Sequence, residues 1–506
     1  MINRSLKYII FVIVSIYLMS LLHINAYQGV TIQGYEVSQF NSHELLNITN
    51  TKEAIAVVIS DKLIKGIKYL KHVYEALNIR YRIFKLSDVL IMFPRGTEYE
   101  SLRDFARYVR YVLNYRYLLL IGDDVSLAYF YMNDSLSVIE GVLKSTDMYY
   151  SLLDGSWDYD NDNKLLEPIP NKHSCIVGER LPDLTPDLIV GRLPFSSIED
   201  IRKYYIDTVI NFLWSTHYNI SVLLAASLIT LPGEEGNRYV IDGASALVSI
   251  ERRYLRKINA DVTRMFEGEG LVKSMHNFDF PLNYKFISKA LSMGRYDLIL
   301  IISHGNGLKL ARKIWIKDDG DGRAEEDEIV YEVFLWYDRI PRIRSAPIIY
   351  IDSCLAGAFD LLSDNAIGVV LLRKGALAVI VPTRVTYYKV NYLSTDFNDE
   401  LLKLFVKYLV RTYPMLDPAE AFYESRAEYM SKYLNGYQTC SHVKNALVYV
   451  FLGDPILIKY LFMLKGTYDN IHEHVMHNPN LLFHFMNDYN INVNILSLLM
   501  MKSLIK

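Results

Sequence analysis

Apolar runs alternate along most of the chain with segments whose apolar residues recur at helical spacing. Ala54–Ser60 and Tyr117–Ile121 are apolar enough to form buried strands, and residues 62–77 repeat apolar positions every three or four residues. Strands that alternate with helices of about 10 to 18 residues are typical of βαβ units. The pattern therefore predicts an α/β protein with mainly parallel sheets flanked by helices.

A second series of the same kind begins after residue 215. Buried strands are predicted at 298–302 and 347–351, and helices near 365–373, 396–412 and 418–434. Two series predict two packed α/β subdomains with separate sheets. The predicted segments are a lead at 27–53, a first subdomain at 54–215, a second at 216–464 and a tail at 465–506.

The first 26 residues have the pattern of a secretory signal. Arg4 and Lys7 precede an apolar run from Tyr8 to Leu22, which is followed by a small residue, Ala26. An uncleaved N-terminal anchor is the alternative, although the run is shorter than the roughly 20 residues that a membrane span needs. The sequence therefore predicts an extracellular or cell-surface protein, with membrane contact only through this segment.

Composition narrows the function classes. The chain has 506 residues, of which 51% are hydrophobic and 22% charged, and a net charge of −3. It has no basic excess of the kind that binds nucleic acid. Of the three cysteines, Cys175, Cys354 and Cys440, at least one must be free, and pairing of Cys175 with Cys440 stays open.

Two buried strands end in residues that carry chemistry. The run 298–302 leads to His304, and the run 347–351 leads to Cys354, with glycine following each at 305 and 357. Functional groups collect at the carboxyl ends of strands in α/β sheets. A cysteine there is often only a small apolar filler, and a histidine only a hydrogen-bonded polar group. Both together suggest a thiol nucleophile and its base.

These strand ends resemble the motifs of caspase-like (clan CD) cysteine peptidases, and more narrowly those of the gingipain family. The matching motifs are Ile302–Gly305 and Tyr350–Cys354. Supporting stretches occur in the same order over roughly residues 54–460, namely 117–123, 146–150, 186–194, 374–380 and 452–455. The resemblance implies a caspase-like fold.

The resemblance also implies an endopeptidase that acts on a protein or peptide through a thioester. Cys354 would be the nucleophile and His304 the acid and base, while the N–H groups of Gly305 and Cys354 would bind the oxyanion. Asp147 is the candidate carboxylate that orients the histidine, and a structural role in a turn is the alternative. Asp183 is the candidate for selecting Arg or Lys before the cut.

Acidic loops suggest structural calcium, while catalysis itself needs no cofactor. Asp158, Asp160, Asp162 and Glu167 are the candidate ligands of the first loop. A second, looser candidate combines Asp319–Gly322 with the acidic residues 325–328. Ordinary turn chemistry is the alternative explanation of both patterns, and it accounts better for the second than for the first.

Two other functions stay open. The chain could be a non-catalytic exported binding or surface protein with the same fold, or a transpeptidase that uses the same thioester. It also departs from the gingipain pattern in its short lead segment and in the long insert at 308–345 between the two reactive residues. The oligomeric state is not predicted.

Overall fold

The computed structural model describes residues 53–158, 162, 164–166, 185–214, 219–234, 238–388, 398–434 and 440–464. The predicted signal segment, nearly all of the lead and the tail lie outside the described residues. So do Cys175, the side chain of Cys440, and the predicted site residues Asp160, Glu167 and Asp183.

The chain forms eighteen strands in the described residues. They are β1 (Ala54–Ile59), β2 (Arg80–Lys85), β3 (Tyr117–Ile121), β4 (Ala128–Tyr131), β5 (Leu143–Thr146), β6 (Ile189–Leu193), β7 (Ser221–Ala226), β8 (Leu228–Thr230), β9 (Ile241–Asp242), β10 (Asp261–Phe266), β11 (Phe280–Pro281), β12 (Leu298–Ile302), β13 (His304–Gly305), β14 (Lys309–Trp315), β15 (Ile329–Trp336), β16 (Ile348–Asp352), β17 (Ala378–Pro382) and β18 (Tyr449–Gly453).

Helices follow most of these strands. The α-helices are α1 (Ile67–Ala76), α2 (Leu86–Met92), α3 (Glu98–Arg107), α4 (Ser137–Glu140), α5 (Met148–Ser151), α6 (Ile198–Arg202), α7 (Val209–Trp214), α8 (Ala244–Arg253), α9 (Tyr284–Met293), α10 (Phe359–Leu362), α11 (Ile367–Arg373), α12 (Asn398–Arg411), α13 (Pro418–Tyr433) and α14 (Cys440–Leu447). Residues 455–464 are also helical. The segments Tyr108–Val112 and Lys203–Thr208 are π-helical continuations of α3 and α6.

One sheet of eleven strands forms the centre of the fold. Its order is β11-β10-β7-β12-β16-β17-β18-β6-β3-β1-β2, and all neighbours are parallel except β17 and β18. Strands β1, β3, β12, β16, β17 and β18 are buried throughout. Burial on both faces accounts for their continuous apolar sequences, because parallel sheets are covered by helices on both sides. The predicted α/β class is confirmed.

The two predicted sheets are continuous, which the sequence did not indicate. They meet where β18 pairs with β6 through Leu452 and Arg192. Gly191 makes this close approach feasible, since a Cβ atom there would lie 2.4 Å from Pro455 Cδ and 2.5 Å from the Gly453 carbonyl oxygen. The subdomain boundary near residue 215 stays a prediction.

The two halves of the sheet run in opposite directions, because β18 is parallel to β6 and antiparallel to β17. The carboxyl ends of β12, β16 and β17 therefore lie at the opposite edge from those of β1, β3 and β6. The carboxyl ends of the first-half strands therefore cannot supply residues near Cys354. The connection between β3 and β6, which contains β4, α4 and β5, supplies them instead.

Most element predictions are confirmed, including the capping box of Thr97 and Glu100 at the start of α3. The sequence predicts no element within the insert at 308–345, whereas the structure shows the hairpin of β14 and β15 there. Charged residues obscure the β14 pattern, yet Arg312 and Lys313 are buried against carboxylates. Among the helices of the described residues, none combines the length and hydrophobicity that crossing a membrane requires.

Candidate active site

His304 and Cys354 follow two neighbouring strands of the central sheet. Strands β12 and β16 are parallel and pair in register as far as Ile302 and Asp352. Each reactive residue therefore comes two positions after the last paired residue of its strand. The Ser303 N–H donates to the Asp352 carbonyl oxygen at 3.1 Å, which extends the pairing up to the site. The structure thus brings the two predicted residues to the same edge.

Glycines pack the loop after His304 directly onto the loop that carries Cys354. A Cβ atom on Gly305 would lie 2.4 Å from Ser353 Oγ, and one on Gly307 would lie 2.9 Å from the Leu355 carbonyl oxygen. Gly307 also has a positive φ of +87°, which favours glycine. We call the contacts among Gly305, Gly307, Ser353 and Leu355 the glycine clasp. It therefore holds the residues directly before and directly after Cys354 in the chain.

The hairpin that follows His304 encloses its imidazole. The Tyr331 ring meets it edge-on with 5.4 Å between ring centres. Lys313 lies over the same tyrosine ring and binds Glu234 at 2.8 Å. Burial, followed by the Lys313 charge, lowers the pKa of His304 from 6.5 to about 4. In the described part of the chain, His304 Nε2 is buried and has no hydrogen-bond partner.

The Cys354 thiol is partly buried against Thr386, whose carbonyl oxygen lies 4.0 Å from Sγ. Burial is the main cause that raises the pKa of the thiol, and Asp352 raises it further. Hydrogen bonding to Thr386 and the charge of Lys444 act in the opposite direction. With the thiol pKa raised and the imidazole pKa lowered, the resting pair is neutral at neutral pH.

A buried carboxyl group, Asp352, lies two residues before the cysteine. It accepts a hydrogen bond of 3.1 Å from the Tyr449 hydroxyl. Burial, and then the nearby charge of Asp399, raises the pKa of Asp352 to about 7. The carboxyl group is therefore partly protonated near neutral pH, which limits the negative charge behind the thiol.

Asp147 has a different partner from the predicted one. Its carboxylate accepts from Arg192 Nε at 3.0 Å and from Nη2 at 2.7 Å. Arg192 is fully buried and also donates to the Val125 and Ser126 carbonyl oxygens. Among the described residues, no hydrogen bond joins Asp147 to His304. The carboxylate fixes the connection after β3 to strand β6.

Of the predicted calcium ligands in the first loop, only Asp158 and Asp162 lie within the described residues, whereas the second loop is described in full. Asp162 binds the Lys164 N–H at 2.8 Å and the Lys164 ammonium group, and its own N–H donates to Asp158 at 3.1 Å. In the second loop, Asp318, Asp319 and Asp321 are exposed, and one oxygen of each lies within 4.8 Å of the others. Calcium binding stays a prediction for both loops.

The sequence did not identify the segment that covers the other side of Cys354. Residues 383–388 follow β17 and bring Thr386 to the thiol. Buried charged residues from distant parts of the chain lie beside this segment. Lys444 in α14 lies over the Tyr387 ring at 5.2 Å, and Lys144 in β5 binds Glu140, which accepts from the Val385 N–H. The sequence does not indicate that these lysines are buried, because single lysines in short amphipathic elements are usually exposed.

The fold and the paired strand ends define an α/β protein with a histidine and a cysteine at one sheet edge. The family described as "Peptidase family C25" matches residues 48–458. The chain belongs to this family and is a cysteine-type peptidase, a hydrolase whose substrate is a protein. No curated protein matches the chain.

Solved structures with a similar fold include the Arg-specific cysteine proteinase gingipain R. It is 14% identical, with a TM-score of 0.53, and the match covers 80% of this chain and 78% of that one. The complex of the pro- and mature domains of Porphyromonas gingivalis RgpB is 13% identical with a TM-score of 0.51, covering 80% and 79%. At these identities the likeness supports the caspase-like fold and nothing finer.

Proposed function

We propose that the protein is a secreted cysteine endopeptidase with Cys354 as nucleophile and His304 as general acid and base. The glycine clasp is the observation that carries this proposal, because it packs the loop of one reactive residue against the loop of the other. Within the part of the chain that the structure describes, His304 Nε2 is buried and has no hydrogen-bond partner, so it can accept a proton.

In the proposed reaction, Sγ attacks the carbonyl carbon of the peptide bond while its proton passes to His304. A neutral resting pair means that the thiol loses its proton during the attack rather than before it. The tetrahedral intermediate then expels the amine, which takes the proton from His304, and a thioester remains. Water, deprotonated by the same imidazole, hydrolyses the thioester and restores the thiol.

The oxyanion of each tetrahedral intermediate would bind the N–H groups of Cys354 and Gly305. Among the described residues, the Cys354 N–H has no hydrogen-bond partner. Leu355 has a positive φ of 60°, an uncommon conformation for a residue other than glycine. Strain of this kind beside a reactive residue is typical of functional sites.

Secretion rests on the pattern of residues 1–26. N-terminal sequencing of protein recovered from the culture medium would test it, and we expect a new terminus near Ala26. Calcium would be structural, so we expect chelation to lower thermal stability and to leave the reactivity of Cys354 unchanged. Basic specificity through Asp183 is part of the same proposal and is tested with the peptides below.

The main test is cleavage of fluorogenic peptides that end in Arg, Lys, Asn or Asp. We expect Cys354→Ala and His304→Ala each to lower kcat/KM by about 10³-fold or more. Cys175→Ala and His276→Ala are matched controls, and His276 is a half-buried histidine that bonds Ser245 at 2.9 Å. Retention of full activity by Cys354→Ala would exclude the proposed nucleophile.

A further inference from the structure

Four charged side chains form a cluster closed to solvent near the segment 383–388. They are Asp134, Glu140, Lys144 and Lys444, with side-chain exposures of 0 to 2%. Lys144 lies 2.7 Å from Glu140, and Lys444 lies 2.9 Å from Asp134 and also binds Glu140. Buried ion pairs often stabilise a protein no better than apolar residues. Stability alone therefore does not account for this buried charge cluster.

The buried charge cluster holds two alternate residues of the segment 383–388. Glu140 accepts a hydrogen bond of 2.6 Å from the Val385 N–H. Asp134 accepts one of 3.0 Å from the Tyr387 hydroxyl group. Asn445, next to Lys444, binds the N–H and the carbonyl oxygen of Tyr387 at 3.0 and 2.8 Å. Val385 and Tyr387 are thus fixed on one side of the segment.

Arg384 and Thr386, which alternate with these two residues along the segment, face the loop that carries the nucleophile. Arg384 binds both oxygens of Asp360 at 2.6 and 3.1 Å, and its carbonyl oxygen accepts from the Leu355 N–H at 3.3 Å. Thr386 places its carbonyl oxygen 4.0 Å from Cys354 Sγ. Because the contacts alternate, a shift of the segment toward or away from the cluster changes the position of Thr386 against the thiol.

We infer that the buried charge cluster positions Thr386 against Cys354 and thereby couples the connection between β3 and β6 to the reactivity of the nucleophile. Its four members are positioning residues, since none of them touches the reacting atoms. The inference rests on the proposed role of Cys354. It also means that the first half of the chain affects the reactivity of Cys354 without acting on His304.

The groups around the thiol support a direction for the effect. Hydrogen bonds from the Thr386 backbone and side chain, and the charge of Lys444, lower the pKa of Cys354, while burial and Asp352 raise it. Displacement of Thr386 from the thiol weakens the hydrogen-bond contribution. A weakened cluster should therefore give a less reactive thiol whose pKa is higher still.

Alkylation of Cys354 by iodoacetamide, followed by peptide mass spectrometry across a pH series, tests this on the full chain. Tyr387→Phe removes the hydroxyl group that donates to Asp134 of the cluster. Tyr408→Phe is the matched control, because its hydroxyl group donates to Glu428 at 2.6 Å on the surface of α12 and α13. Lys144→Met is the stronger variant. Thermal unfolding of each variant shows whether it is folded.

We expect the alkylation rate at pH 7 to fall about 10-fold for Tyr387→Phe and about 100-fold for Lys144→Met, because the thiolate is the nucleophile and its fraction falls about tenfold for each unit by which the thiol pKa rises. The pH midpoint should rise in both, and Tyr408→Phe should stay within about twofold of the parent chain. In peptide assays, kcat should fall more than KM rises.

Equal rates and midpoints in folded Tyr387→Phe and Tyr408→Phe would overturn the inference. Alkylation needs no substrate, so the two proposals fail separately. If the parent chain is alkylated at Cys354 but cleaves no peptide, the endopeptidase function is contradicted. The alkylation rates of the variants still test whether the cluster positions Thr386. A parent chain that cleaves peptides while the variants behave alike would contradict only the inference.

Discussion

The two sides of Cys354 are built in different ways. On the His304 side, two adjacent parallel strands and the glycine clasp bring together residues that lie between 298 and 357. On the Thr386 side, the segment 383–388 depends on charged residues from 134–144, on Lys444 and on the amide of Asn445. Backbone register therefore positions one side, and long-range side-chain contacts position the other.

Substitution of Gly305 should disrupt the glycine clasp on the His304 side and have the largest effect on kcat/KM among these predictions. In Gly305→Ala, a Cβ atom 2.4 Å from Ser353 Oγ would separate the two loops. We expect kcat/KM to fall about 100-fold, because a displacement near 1 Å can have that effect. Gly96→Ala is the control, since the new Cβ atom would have only the flexible Glu100 carboxylate nearby, at 3.5 Å. Similar activity in both variants would show that the clasp is not needed.

The difference between the two sides decides what the sequence could predict. Strand patterns around 298–302 and 347–351 are local, and a histidine and a cysteine at their ends are visible in the sequence. The bonds of Glu140 to Val385 and of Lys444 to Asp134 join residues whose proximity depends on the completed fold. Continuity of the sheet through a single pair, Leu452 with Arg192, could not be predicted for the same reason.

Asp147→Asn tests whether Asp147, which lies in the first half of the chain, also orients His304. The structure pairs Asp147 with buried Arg192, so we expect the free energy of unfolding to fall by about 3 kcal/mol, as for other buried pairs that lose one partner. Asp104→Asn, in a more exposed pair with Arg107, should cost about 1 kcal/mol or less. Denaturant titration measures both.

The activity of Asp147→Asn, corrected for the folded fraction, distinguishes the two interpretations. If Asp147 only fixes the connection to β6, kcat/KM should fall far less than it does in His304→Ala. A loss as large as that of His304→Ala, with normal stability, would support the orienting role first predicted from the sequence.

A smaller effect concerns the pH dependence of the histidine side. With the pKa of His304 at about 4, kcat/KM should keep its plateau down to mildly acidic pH and fall only near pH 4. Lys313→Met should move the acidic fall in kcat/KM to higher pH, because the Lys313 charge lowers the pKa of His304. A fall near pH 6.5 in the parent chain would contradict the lowered value.

The free energy of unfolding should also depend on the protonation of His304. Between pH 6.5 and about 4 the unfolded chain binds a proton at His304 that the folded chain does not. The free energy of unfolding should therefore decrease as the pH falls through this window. Comparison of the parent chain with His304→Gln by denaturant titration at pH 7 and pH 4.5 measures the contribution of His304.

The most direct measurement is covalent labelling of the full chain with a peptidyl chloromethyl ketone, which requires substrate-like binding and an activated thiol. Peptide mapping should find the label on Cys354 and not on Cys175 or Cys440, and His304→Ala should abolish it. Equal labelling of the three cysteines, or labelling of Cys354 that is unchanged by His304→Ala, would contradict the account.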